Sequence, residues 1–257
     1  MTMNYHHRRY VGEYISTPEV STGGGGKYSL GKDIGLNNII NGDCREVMGT
    51  LPDQSFDVVI TDPPYNIGFK YSGYSDDLSD ELYIKLISTF ASYPLVIIHY
   101  PEETMRYFVP ALGVPNDVIV WCYNSNLPRQ SRLINFYNIM PDMDKVKQPY
   151  KNQYDKRVLE RLKSGSCGSR LYDWFSDIQL VKNVSGEKSG HPCPVPVKLM
   201  ERIIMLTTDE GDTVLDPFMG SGTTAVACKN THRNFIGIEV DQGYCDIAED
   251  RLRQGVL

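Results

Sequence analysis

The stretch from Thr213 to Glu239 constrains this chain more than any other. An apolar strand, Val214-Leu215-Asp216, runs into a turn whose glycines, Gly220 and Gly222, stand two apart; a helix follows at once (Gly222 to Lys229), and a second strand, Asn234 to Glu239, ends in a carboxylate. Strand, turn, helix and strand in so short a span predict two parallel strands with the helix packed across them. Glycines let backbone approach a ligand where a side chain would block it, and an acid ending the next strand can hold two ribose hydroxyls. A plain tight turn would explain the glycine pair alone; the added acid favours a nucleotide-type cradle. No lysine of the phosphate-gripping kind stands in the turn, so the ligand need not be a phosphate.

The same alternation extends through most of the chain. Strands are expected at Asn38 to Ile40, Phe56 to Thr61, Leu95 to His99 and Asp117 to Tyr123, with helices at Ser79 to Ser92 and near Glu102 to Val109. After a polar interval the pattern returns with a helix at Val197 to Thr207, the unit above and a last helix at Gln242 to Gln254. The prediction is an α/β fold with a doubly wound, mostly parallel, Rossmann-like sheet. Four regions follow: an N-terminal arm and hinge (1–36), one half of the α/β domain (37–123), an inserted region (124–190) and the second half (191–257).

Composition narrows the partners. With 41% hydrophobic residues in 257, the chain can bury one sizeable core. Its longest apolar runs, such as Leu95 to Ile98, fall far short of the roughly 20 residues that span a bilayer, and no signal-like segment opens the chain. No membrane is expected as a partner, and the location expected is cytoplasmic, with nucleoid association. The six cysteines lie without a CxxC pair, so free thiols and no metal site are expected. The net charge is -6, yet Leu127 to Lys163 carries nine basic residues against four acidic ones. Such a cluster is a solvated face or a surface for an anionic partner.

A second motif, Thr61-Asp62-Pro63-Pro64-Tyr65-Asn66, stands at the carboxyl end of a predicted strand, where open α/β sheets place their active sites. Two prolines fix the backbone, so the Asp62 carboxylate and a neighbouring carbonyl can point at one place as a rigid double acceptor. An exocyclic NH2 on adenine or cytosine is a poor nucleophile because its lone pair is delocalised. Two acceptors holding its hydrogens would favour a pyramidal nitrogen, and positioning beside an electrophilic methyl supplies the rest. Tyr65 offers a face for stacking the base. Taken alone, the motif could be an ordinary turn.

The two motifs together resemble those of the amino-methylating (N6-adenine/N4-cytosine) DNA methyltransferases. Asp62-Pro63-Pro64-Tyr65 is similar to the family's catalytic motif, and Asp216-Pro217-Phe218-Met219-Gly220-Ser221-Gly222 to its S-adenosylmethionine motif. With the catalytic motif first and a recognition segment between, the order resembles the permuted beta class. The resemblance covers roughly residues 38–253. It implies S-adenosylmethionine as cofactor, bound by Asp43, His191, Asp216, Phe218, Gly220, Ser221, Gly222, Thr223 and Glu239. His191-Pro192-Cys193-Pro194-Val195-Pro196 departs from the family's usual His-Pro-Thr-Gln-Lys-Pro, which leaves the lysine contact without a counterpart. Implied partners are double-stranded DNA, a second copy of the chain as a homodimer, and a cognate restriction endonuclease.

In this context the inserted region becomes a target-recognition region, with Lys70, Arg129, Arg132, Lys145, Lys147 and Lys151 as DNA-binding candidates. The loop Asn66 to Asp77 could close over a flipped base or be an ordinary surface loop. An aspartate heading the motif resembles the adenine enzymes, so adenine N6 is the expected target and cytosine N4 the alternative. A catalytically silent DNA-binding module is a second alternative, which intact Asp62 opposes. A glutamine-methylating enzyme resembles this family too, but with Asn-Pro-Pro-Tyr in the unpermuted order. Cys193 follows a proline as in cytosine C5 enzymes, but the proline ladder around it does not suit a nucleophile turn.

Overall fold

The computed structural model describes residues 35–69, 76–126, 128–181 and 195–254. The first half runs through β1 (Asn38–Asn41), α1 (Cys44–Val47), β2 (Val58–Thr61), α2 (Asp80–Ser88) and β3 (Leu95–His99). It continues with α3 (Pro101–Glu103), a π-wound turn Thr104–Phe108, α4 (Val109–Leu112), β4 (Asp117–Cys122) and β5 (Ser131–Tyr137). Next come β6 (Lys147–Gln148), α5 (Lys156–Lys163), β7 (Ser169–Arg170), β8 (Trp174–Phe175) and α6 (Val197–Thr207). The chain closes with β9 (Thr213–Asp216), α7 (Thr223–Asn230), β10 (Asn234–Glu239) and α8 (Gln242–Gln254). Among the described residues, no helix is long and apolar enough to cross a membrane.

Eight strands share one sheet in the order β1-β10-β9-β2-β3-β5-β4-β8, and β6 pairs with β7 in a separate ribbon. The run from β1 to β3 is parallel, β5 is antiparallel to both its neighbours, and β8 adds parallel to β4. Every residue of β2, β3 and β9 is buried, because helices cover both faces of the sheet. Successive side chains alternate between two cores. Val58, Ile60, Val96, Ile98 and Val214 meet Leu199 and Ile203 of α6 on one face. Val59, Leu95, Ile97 and Leu215 meet Leu86 and Ile87 of α2, and Phe90 just beyond it, on the other. The Ser79 hydroxyl caps α2 by accepting from the Leu82 N–H, with Asp80 and Glu81 in its first turn to suit the helix dipole.

The pairing of β2 with β9 positions the site. From β2 the chain continues to β3 on one side, and from β9 to β10 on the other. Loops leaving adjacent parallel strands in opposite directions open a crevice at their carboxyl ends, where ligands of such sheets bind. Both sequence motifs lie there.

The inserted region contributes more to the sheet than its composition suggests. β5 lies inside the main sheet and β8 forms its edge, with 138–173 running outside the main sheet between them. Arg132 and Asn135 break the apolar run of β5, which disguises a strand paired on both sides. No residue of α5 is buried, in keeping with a surface role. Of the arm expected at 1–36, residues 1–34 lie outside the described residues.

Candidate active site

Asp216 ends β9 with its carboxylate turned inward. It accepts from Thr61 Oγ1 at 2.7 Å, from Thr224 Oγ1 at 2.5 Å and from the Phe218 N–H at 3.1 Å. It thereby ties β2, the glycine turn and α7 together. Burial pushes this carboxyl up to about 6. The turn itself is closed by Glu239, whose carboxylate accepts from the Gly220 N–H at 2.8 Å and the Asp241 N–H at 2.9 Å. Burial also raises Glu239 above its ordinary range.

The two glycines do different work. Both have left-handed φ, 53° at Gly220 and 81° at Gly222. A Cβ on Gly222 would come within 2.6 Å of the Ala248 Cβ, so this glycine lets α7 pack on α8. Gly220, Ser221 and Thr223 instead line a cavity, together with Phe218, Glu239 and Asp43. Asp43 reaches it from the next strand, since Asn41 pairs with Glu239 in register. Its carboxylate caps α1 and binds the Arg45 guanidinium, which holds it below the usual carboxylate range.

The same cavity continues to Asp62, Pro63, Pro64 and Tyr65. The Tyr65 hydroxyl donates to Asp62 Oδ1 at 2.5 Å, and Arg132 Nη1 lies 3.6 Å from Asp62 Oδ2. Burial raises the Asp62 carboxyl, against the opposing pull of Arg132 and of the Tyr65 hydrogen bond. The carbonyl of Pro64 accepts from the Tyr83 hydroxyl at 2.6 Å, which fixes the motif to α2. Tyr65 is buried: its ring lies 4.2 Å from that of His99 and 4.9 Å, edge-on, from Tyr100. The face expected to stack a base is therefore shared in this structure with His99 and Arg132. Downstream, the Asp76 carboxylate accepts from the N–H groups of Asn66, Ile67 and Phe69, and Ile67, Phe69 and Asp76 line the cavity.

The basic candidates part company. Arg129 pairs with Glu103 at 3.1 Å and lies over Tyr100. Lys145 is tied to Asp209 and Lys147 to Asp144, which offsets their charge. Lys151 sits over the rings of Tyr172 and Trp174 on the surface. Arg132 lies in the cavity wall. Lys70, His191 and Cys193 lie outside the described residues.

Sequence reasoning missed His99, Tyr83, Tyr100 and Asp76, which are scattered singly along the chain. Arg132, expected among the DNA contacts, is buried beside Asp62. One signal was present: Arg132, Ile134 and Phe136 alternate along β5 and point to one buried face.

A family model described as DNA methylase, N6_N4_Mtase, matches residues 96–250, more than half of the chain. The chain belongs to the N6/N4 DNA methylase family. Among its relatives is the type II methyltransferase M.BglII of Bacillus subtilis, 30% identical over 83% of this chain and 68% of that protein. The type II methyltransferase M.ScaI of Streptomyces caespitosus is 28% identical over 83% and 80%. The crystal structure of the M1.HpyAVI-SAM complex superposes with a TM-score of 0.55 at 26% identity, covering 83% of this chain and 98% of that one. As a member of that family the chain is a DNA methyltransferase, with the mostly parallel α/β sheet already described.

Proposed function

We propose that this methylase transfers a methyl group from S-adenosylmethionine to the N6 amino group of adenine at specific sites in double-stranded DNA, acting on a base flipped from the helix. The observation that carries the reading is that Asp62 and the Gly220 to Glu239 cradle line one cavity. The residues fit the cofactor. The bare backbone at Gly220 leaves room against the turn, the carboxylates of Glu239 and Asp43 suit ribose hydroxyls and an adenine amine, and Phe218 offers an apolar face. Several carboxylates in the cavity favour a positively charged ligand.

S-adenosylmethionine, when bound, supplies an electrophilic methyl on a sulfonium centre. Asp62 holds the amine: an incoming N–H replaces the Tyr65 hydroxyl on Oδ1. The carbonyl of Pro64 already accepts from Tyr83, and the carbonyl of Pro63 is taken as the second acceptor for the amine. With both hydrogens held, the nitrogen lone pair is directed away from the ring plane, and the gain comes from orientation rather than from a covalent enzyme intermediate. On gaining a methyl the nitrogen sheds one proton, and the Asp62 carboxylate is placed to take it.

The choice of adenine rests on aspartate heading the motif, and the motif order supports the permuted beta class. Region 124–190 is assigned to target recognition, with Lys151, Tyr172 and Trp174 as surface contacts to DNA. Methylation of duplex DNA in vitro, followed by digestion and nucleoside mass spectrometry, tests the reading. N6-methyladenine is the expected product; N4-methylcytosine alone would overturn the base, and no methylated nucleoside would overturn the activity. Single-molecule sequencing of DNA from expressing cells would give the site.

A further inference from the structure

The guanidinium of Arg132 is buried, with 6% of the residue exposed, in a box formed by the rings of Tyr65, Tyr100, Trp121 and Tyr123. Aromatic faces at such distances hold a cation without using up its N–H groups. Neither Nε nor Nη1 donates a hydrogen bond to any described residue. Buried donors are ordinarily satisfied, and leaving them unpaired is costly. Were Arg132 there only to neutralise Asp62, a short hydrogen-bonded pair would be expected. Instead Nη1 stops 3.6 Å from Oδ2, and both residues face the cavity.

Arginine stays charged and offers donors only; an ionised carboxylate offers acceptors only. Side by side, they call for a ligand with a donor and an acceptor side by side. We infer that Arg132 reads the target base, donating to the ring nitrogen next to the amine that Asp62 holds. The inference rests on the amine-methylation reading above and goes further by defining the edge the site selects. The amidine edge shared by adenine (N1 and N6) and cytosine (N3 and N4) fits. In guanine the ring nitrogen beside the amine on the pairing edge, N1, carries a hydrogen, so no acceptor stands there for Arg132. A hydrogen bond donated to the ring nitrogen draws electron density from the amine, so it does not make the amine more nucleophilic. Arg132 therefore acts in capturing the base, and its effect falls on KM rather than kcat.

The test changes the substrate first, so that it does not depend on a variant folding. Duplexes carrying the methylated site are compared with ones whose target is 1-deazaadenine (3-deazacytosine if the product is N4-methylcytosine), with 7-deazaadenine as the control for an adenine target. For the wild-type enzyme, loss of the adjacent ring nitrogen should lower kcat/KM by about 10- to 100-fold, mainly through KM. The 7-deaza change should have little effect. Arg132→Met, if folded, should no longer distinguish the deaza substrate from the normal one. Equal use of both substrates by the wild type, or an undiminished penalty in Arg132→Met, would overturn the assignment. Absence of methyl transfer to the unmodified duplex would instead bring down the methylation reading, and the role of Arg132 with it.

Discussion

Thr61 donates its hydroxyl to Asp216 across 2.7 Å of buried space, 155 residues apart in sequence. Thr61 immediately precedes the Asp-Pro-Pro-Tyr motif, and Asp216 opens the glycine turn. This bond locks the two halves of the site to each other at the junction of β2 and β9. Thr61→Val keeps the shape and removes the donor. It should lower unfolding free energy by about 1.5–3 kcal/mol, the range for a hydrogen bond to a charged group. Urea denaturation would show it, and an unchanged midpoint would refute the locking role.

Asp62 makes the most direct prediction about chemistry. Asp62→Asn retains volume but replaces half of the acceptor by a donor, beside an amine that also donates. Turnover should fall by about 100- to 1,000-fold, the scale of losing one preorganised polar contact to the reacting group. Isothermal titration should find S-adenosylmethionine affinity retained, because the cradle is built from the glycine turn and the end of β10 rather than from Asp62. Wild-type turnover would remove Asp62 from catalysis.

The two left-handed glycines should fail in different ways. Gly222→Ala meets Ala248 and an unfavourable φ, and should cost about 2–5 kcal/mol of stability. Gly220→Val places a branched side chain in the cavity and should abolish cofactor binding by titration. Undiminished binding by Gly220→Val would show that the cofactor lies elsewhere.

Two buried groups give stability opposing dependences on pH. The Asp216 carboxyl is raised by burial from 3.8 to about 6, so between these values the folded protein keeps a proton that the unfolded chain has lost. Its contribution is full below about pH 4 and lost as pH rises through about 6. His99 is driven by burial, and then by the charge of Arg132, from 6.5 to about 3. Its contribution is full above about pH 6.5 and lost as pH falls towards 3. Asp216→Asn removes the first slope and leaves the second. Its denaturation midpoints should therefore rise more steeply from pH 4 to 6 than those of the wild type; parallel profiles would contradict the assignment.

By itself the sequence determined what depends on neighbours a few residues away. Hydrophobic runs and turn chemistry placed the strands β2, β3, β9 and β10 and the helices α6, α7 and α8 with little error, and Asp62 and Glu239 were visible because each closes a strand. Tertiary structure decided what depends on partners far along the chain. Arg132 lies in a segment whose charge reads as surface, and only the pairing of β5 with β3 and β4 turns it inward among four aromatic rings. The Asp216 carboxylate likewise draws its hydrogen bonds from far along the chain as well as near by, from Thr61 of β2 and Thr224 of α7. A side chain's periodicity is local and can be read in one dimension, whereas the field and the hydrogen bonds around it come from whichever strands the sheet brings alongside.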